Sequence, residues 1–256
     1  MAKKIIIGNW KMNPVSSKDA EKLFISIVKF LNRKTRTEVV ICPPFLYLEN
    51  LKSSSRTKKI SLGAQDAFWA EIGAFTGEVS PDMLYNFSAR YVILGHSERR
   101  TLGETNETVN KKIKAALSAG LIPVLCVGES VRDESHDYFD LVKTQLGECL
   151  SGVKKTSVAK IIIAYEPVWA ISSTINRKDA TSADCLEMII FIRKILSDKF
   201  GSESKKMRII YGGSANEKDA EDFLRNGGVD GLLVGRASLD AKKFIEIVKI
   251  CEALNK

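Results

Sequence analysis

Lys160-Ile161-Ile162-Ile163-Ala164-Tyr165-Glu166-Pro167 runs an apolar segment of strand length into a carboxylate and a proline. The near-continuous isoleucine suits a strand buried on both faces, as in a parallel sheet covered by helices. Pro167 has no N–H for a ladder, so the strand stops there and Glu166 stands at its carboxyl end. A carboxylate at the mouth of a buried strand is costly unless it has a partner or a task. A salt bridge at a strand end is the bland alternative. Against it, Val168-Trp169-Ala170-Ile171 is apolar where a polar loop belongs. A hydrophobic loop beside a lone carboxylate fits a lid that closes over a base and expels water.

The same pattern recurs outward from this stretch. Apolar segments at 5–10, 38–42, 60–65, 91–94, 122–127, 161–165, 208–211 and 231–234 alternate with amphipathic ones. Between them the period changes to that of a helix. Ala20, Leu23, Phe24, Ile27, Val28 and Leu31 form one apolar stripe, and Ala241, Phe244, Ile245 and Val248 form another. Thr181 and Asp184 have capping-box spacing before the run 186–196. The stretches after the second and third strands are irregular. Eight strand–helix alternations in 256 residues predict an α/β protein, a single (β/α)8 barrel of eight parallel strands with outer helices. An open doubly wound sheet shares the alternation. No Gly-x-Gly-x-x-Gly follows the first strand, which weakens its dinucleotide-binding form. No linker marks a second domain, so residues 1–256 read as one barrel domain.

Composition narrows the function classes. Hydrophobic residues make up 45% of the chain, enough for a sizeable core, and charged residues 27%. The longest apolar runs fall far short of a membrane span, and Met1-Ala2-Lys3-Lys4 leads into a strand without a signal peptide. A cytoplasmic location with no membrane partner is expected. The five cysteines are widely spaced with no Cys-x-x-Cys pair, so they read as reduced thiols. With only two histidines, a multi-histidine metal centre is not expected. The formal charge of +8 is scattered as lysine pairs with carboxylates between them. That pattern argues against a nucleic-acid surface and favours capture of a small anion.

In a closed barrel of this kind the active site lies at the carboxyl ends of the strands. Asn9 and Lys11 follow the first strand, His96 the fourth and Glu166 the sixth. Singly, Lys11 reads as a surface lysine, His96 as a capping or core histidine, and Ser214 as part of a glycine turn. Those readings do not explain why all fall at one end. Gly212-Gly213-Ser214 after the seventh strand and Val234-Gly235-Arg236-Ala237-Ser238 after the eighth let backbone N–H groups approach an anion, which suits phosphate. His136, in Arg132-Asp133-Glu134-Ser135-His136-Asp137, falls in a charged stretch typical of a solvated helix face and is given no role.

Ala164-Tyr165-Glu166-Pro167-Val168-Trp169-Ala170-Ile171 resembles the catalytic segment of the triosephosphate isomerase family. Four further segments agree in order: Gly8-Asn9-Trp10-Lys11-Met12-Asn13, Gly95-His96-Ser97-Glu98-Arg99-Arg100, Tyr211-Gly212-Gly213-Ser214 and Asp230-Gly231-Leu232-Leu233-Val234-Gly235. The resemblance implies interconversion of dihydroxyacetone phosphate and glyceraldehyde 3-phosphate, in glycolysis and gluconeogenesis, without metal or cofactor. It implies Glu166 as proton shuttle and His96 as electrophile, kept neutral by the helix that begins at Ser97-Glu98-Arg99-Arg100. Lys11 would supply fixed positive charge at the oxyanion, with Asn9 and Glu98 orienting it. Ser172, Ser214, Gly235 and Arg236, with Asn9 and Lys11, would bind substrate. Cys126 and Glu129 match the end of the family's fifth strand, where packing and hydrogen bonding are expected of them. A sugar-phosphate epimerase and a binding protein that has lost its chemistry are the rival readings.

Two departures from the family pattern stand out. Ala170-Ile171-Ser172-Ser173-Thr174 replaces the usual Ala-Ile-Gly-Thr-Gly and precedes a short insertion within 175–179, so the closing kinetics of a lid are open. Residues 169–179 are expected to form the most mobile loop near the site. Arg236 stands where a second glycine is usual. Lastly, Gln65-Asp66-Ala67-Phe68-Trp69-Ala70-Glu71-Ile72-Gly73-Ala74-Phe75-Thr76-Gly77-Glu78 is richer in large apolar side chains than an exposed loop should be. It either folds back over its own barrel or meets a partner. The resemblance implies the second, a homodimer in which Thr76 approaches the partner's first catalytic loop.

Overall fold

A computed structural model describes residues 3–31, 35–54, 60–132, 135–171 and 179–255. Its strands are β1 (Ile5–Asn9), β2 (Glu38–Cys42), β3 (Ile60–Ala64), β4 (Ala89–Leu94), β5 (Ile122–Val127), β6 (Ile162–Tyr165), β7 (Arg208–Tyr211) and β8 (Gly231–Val234). They pair in parallel in chain order, and β1 closes on β8 through Ile5↔Gly231 to Gly8↔Val234. This is the (β/α)8 barrel that the alternation predicts, and closure rules out the open sheet.

The continuous apolar runs follow from burial on both faces. Ile5, Ile7, Val40, Tyr91, Ile93, Val124, Ile162, Ile210 and Leu233 point into the barrel as one cluster. Their neighbours Ile6, Val39, Val92, Leu125, Ile163, Ile209 and Leu232 join a second cluster, shared with the helices outside. Alternate residues thus serve two cores, and neither face tolerates a polar run. Gly63 sits at a register shift between β3 and β4, where a β-carbon would lie 2.5 Å from Cys42 Sγ.

The outer layer comprises α1 (Ser17–Phe30), α2 (Leu48–Ser54), α3 (Pro81–Asn86), α4 (Ser97–Thr101), α5 (Asn106–Ser118), α6 (Asp137–Cys149), α7 (Ser182–Phe200), α8 (Ala220–Asn226) and α9 (Ala241–Ala253). In α1 the stripe buries Ala20, Phe24 and Ile27, and Ser16 caps it by accepting from the Asp19 N–H. In α9 the buried face holds Phe244, Ile247, Val248 and Cys251, so Ile247 takes the inward place expected of Ile245, which is half-buried. The irregular stretches after β2 and β3 hold the short α2 and α3.

Some boundaries move by one or two residues. Ile161 ends a 3-10 turn by donating its N–H to Val158 O, so β6 begins at Ile162. Ala89, opposite Leu62, starts β4 ahead of Tyr91. His136 does not lie on a helix face. It precedes α6 in the left-handed region, at φ 62°, with Nδ1 3.0 Å from the Tyr138 hydroxyl. In the loop after β3, Phe68 turns inward and stacks on Trp69, with ring centroids 4.0 Å apart, while 71–78 remains exposed. Among the described residues, no helix is long and apolar enough to cross a membrane.

Candidate active site

One cavity of about 540 Å³ opens at the carboxyl ends of the strands, and Asn9, Lys11, His96, Glu166, Ser214, Gly235 and Arg236 all line it. Glu98 stands one step behind, as the partner of Lys11. Ser172 lies outside the described residues, as does most of the expected lid.

Lys11 is set by a bend. The buried Asn9 side chain accepts from the Lys11 N–H at 3.0 Å, and Lys11 takes φ 52°, which a β-carbon disfavours. Gln65 holds the bend by donating to Lys11 O at 2.8 Å and to Cys42 O at 2.9 Å. The ammonium then meets Glu98 Oε1 at 2.5 Å. The lysine head remains partly solvated and faces the cavity.

His96 caps α4. Its Nδ1 accepts the Glu98 N–H at 3.2 Å, and a ring nitrogen that accepts carries no proton. The neutral ring therefore keeps its proton on Nε2, the atom 3.4 Å from Glu166 Oε1. The preceding Gly95, at φ 72°, is fixed from both sides. Glu104 Oε2 accepts its N–H at 3.0 Å, and Arg100 Nε donates to its carbonyl at 2.8 Å.

Glu166 is 2% exposed. Oε2 accepts the Ser97 N–H at 3.2 Å, whereas Oε1 is buried with no hydrogen bond among the described residues. Two glycines make room for it. A β-carbon on Gly128 would lie 1.9 Å from Glu166 O, and one on Gly212 would lie 2.8 Å from Glu166 Cγ. Burial pushes the neighbouring Cys126 thiol far above its ordinary range, and the Glu166 charge adds to the effect.

Glu129 is buried at the end of β5 and gathers the segment around Glu166. Its Oε1 accepts from the Tyr165 hydroxyl at 2.9 Å and from Trp169 Nε1 at 2.8 Å, and its carbonyl accepts the Val168 N–H at 2.8 Å. The expected supporting role of Glu129 agrees with this geometry.

The turns after β7 and β8 bring Gly212, Gly213, Gly235 and Ala237 to the cavity wall. Buried Ser238 ties the second turn by donating its hydroxyl to Gly235 O at 2.6 Å. A β-carbon on Gly235 would lie 3.6 Å from Lys11 Cε, so the turn after β8 abuts the lysine. Among the described residues, no three His, Cys, Asp or Glu side chains gather as a cation site.

Sequence reasoning missed several supports. Gln65 and Arg132 act across long sequence separations, and Glu104 across nine positions to Gly95 and eight to Lys112. Lys112, almost wholly buried, bridges Glu104 and Asp66, and Arg99 completes the group at 2.8 Å from Asp66 Oδ2. The one local signal was the charge of Lys112 within an otherwise apolar helix face.

A carboxylate and a neutral imidazole facing one cavity, with an ammonium beside them, can move a proton between adjacent carbons while stabilising an oxyanion. The comparisons point the same way. The family model described as triosephosphate isomerase matches residues 4–251. The chain is 43% identical to the triosephosphate isomerase of Alkaliphilus oremlandii, over 97% of this chain and 99% of that protein. It is 45% identical to that of Dictyoglomus thermophilum, over 97% of this chain and 100% of that protein.

Proposed function

The chain belongs to the triosephosphate isomerase family, and from that premise we infer that it interconverts D-glyceraldehyde 3-phosphate and dihydroxyacetone phosphate, a step of glycolysis and gluconeogenesis. Glu166 takes the proton from the carbon next to the carbonyl, and the electron pair moves onto the carbonyl oxygen to give an enediolate. His96 Nε2–H and the Lys11 ammonium stabilise that oxyanion. The imidazole then passes a proton between the two oxygens, and Glu166 returns its own to the adjacent carbon. Asn9 and Glu98 orient Lys11. Backbone N–H groups near Ser214, Gly235 and Arg236, with Ser172, take the phosphate.

The observation that carries this reading is Glu166 Oε1. It is buried, without a hydrogen bond among the described residues, and 3.4 Å from an imidazole nitrogen at the cavity wall. A coupled assay with glyceraldehyde 3-phosphate, run with and without chelator, tests it. Isomerase turnover indifferent to chelator is expected, and its absence would sink the reading.

The same proposal extends to one barrel domain over residues 1–256, a cytoplasmic location and a homodimer. The loops after β1 to β4 are neighbours because their strands are neighbours. They expose Met12 at 91%, Val15 at 98% and Ile72 at 87%, together with Leu46, Phe75 and Leu102. So much apolar surface on one side supports a partner. The loop 65–78 would set Thr76 beside Asn9 and Lys11 of the partner subunit, giving a two-fold contact.

A further inference from the structure

Arg132 belongs to no part of the proposed chemistry, yet its guanidinium is engaged on every edge. Nε donates to Glu129 Oε1 at 3.3 Å. Nη1 meets Asp184 Oδ1 at 3.1 Å and Glu187 Oε2 at 2.9 Å. Nη2 donates to Asp184 O at 3.0 Å and to the Tyr165 hydroxyl at 3.3 Å. The cation also lies over the Trp169 ring, 5.5 Å from its centroid, and over Tyr138 at 5.1 Å.

Glu129 gives this arrangement its meaning. The residue is fully buried, and its Oε1 takes Tyr165, Trp169 and Arg132 together, while Oε2 has no partner among the described residues. An ionised carboxylate there needs a counter-charge, and Arg132 is the cation paired with it among the described residues. Tyr165 and Trp169 flank Glu166, so whatever fixes Glu129 fixes the segment carrying Glu166. Asp184 and Glu187, on the first turns of α7, hold the guanidinium in turn.

We propose that Arg132 is a positioning residue for proton transfer: it holds the Glu129 carboxylate, through which Tyr165 and Trp169 fix the backbone on both sides of Glu166. The proposal rests on the isomerase reading for its kinetic consequence, but its structural half is measurable without turnover.

Arg132→Met, Glu129→Gln, the double variant and Arg132→Lys form the test. If Arg132 acts through Glu129, Arg132→Met lowers kcat by about 10- to 100-fold, the loss expected when a reacting group is misplaced by a fraction of an ångström to an ångström. KM changes little, because the turns after β7 and β8 are untouched. The double variant is no worse than the poorer single, since each change removes the same link. Arg132→Lys, which keeps the charge but not the fork, folds and recovers part of kcat. Independently of turnover, the Trp169 indole N–H resonance, assigned by its loss in Trp169→Phe, moves in Arg132→Met toward its position in Glu129→Gln.

Losses that multiply in the double variant would overturn the proposal. So would a drop in melting temperature with kcat unchanged, or an indole resonance that stays put. A wild-type protein without isomerase turnover would instead remove the functional reading, and the indole shift would still decide whether Arg132 governs Trp169.

Discussion

Glu166 is anchored through its main chain, where its N–H bonds Val127 O at 2.8 Å, while its carboxylate accepts the Ser97 N–H at 3.2 Å and leaves Oε1 without a hydrogen bond among the described residues. A shuttle needs that combination, a fixed origin and a tip that can give up its hydrogen bond when substrate arrives. Glu166→Gln keeps size and polarity but removes basicity. It is expected to bind 2-phosphoglycolate nearly as well as wild type while losing roughly 10²–10⁴-fold in kcat, the range that general-base catalysis supplies. Near wild-type turnover in the purified variant would remove Glu166 from the mechanism. His96→Gln is expected to lower kcat as well, in the same assay. Glu166 was legible in the sequence because a proline and an apolar loop marked a carboxylate out of place. Arg132 was not: it lay in a charged stretch that looked solvated, and its partner Asp184 is 52 positions away. Nothing local encodes a contact of that range. Gln65 escaped for the same reason, since its target Lys11 O lies 54 positions off.

Among the elements, α7 shows how far local chemistry reaches. Thr181 accepts the Asp184 N–H at 3.1 Å, and Asp184 Oδ2 accepts the Thr181 N–H at 2.8 Å, so the box predicted from spacing forms as two reciprocal bonds. Thr181→Ala should cost about 1 kcal/mol, the usual value of a hydroxyl cap. In a chain of this size that lowers the melting temperature by about 2–4 °C. Calorimetry of the variant checks it, and an unchanged transition would mean that α7 is held by packing alone. The strands were equally legible, because a run apolar on both faces admits few other readings. The weak point was the face of α9. Ile245 and Ile247 are equally apolar, and only the neighbouring helix and strand decide which of them is covered.

For the whole molecule, the apolar loops after β1 to β4 set the assembly prediction. Phe75→Asp and Thr76→Asp are expected to give monomers of much reduced turnover, because the proposed partner loop would no longer brace Lys11. Light scattering at assay concentration reads the mass, and a fully active monomer contradicts the dimer. Between folding back and reaching out, composition alone could not choose. In the structure Phe68 turns in over the barrel and Ile72 is exposed.

The buried thiols give the molecule a pH limit. Burial raises Cys185 to about 12 and Cys251 to about 11, from 9.0 for an ordinary thiol. A raised folded value stabilises fully below the unfolded one and is lost as pH climbs above it. Stability should therefore fall between about pH 9 and 11, on the order of 1 kcal/mol per thiol per pH unit. Denaturant midpoints at pH 8 and pH 10 measure this, and equal midpoints would contradict it.

Closure of the barrel also orders events in time. As the chain is made, β2 becomes available to one edge of β1 long before β8 becomes available to the other. Until Gly231 leaves the exit tunnel, Ile5 to Gly8 present unpaired N–H and C=O groups along an apolar strand, the surface most prone to join a neighbouring nascent chain. Lys4, which donates to Val229 O at 3.1 Å and to Leu224 O at 3.4 Å, likewise waits for the segment just ahead of β8. The interval of greatest exposure to aggregation is therefore set by the translation time from the first strand to the last.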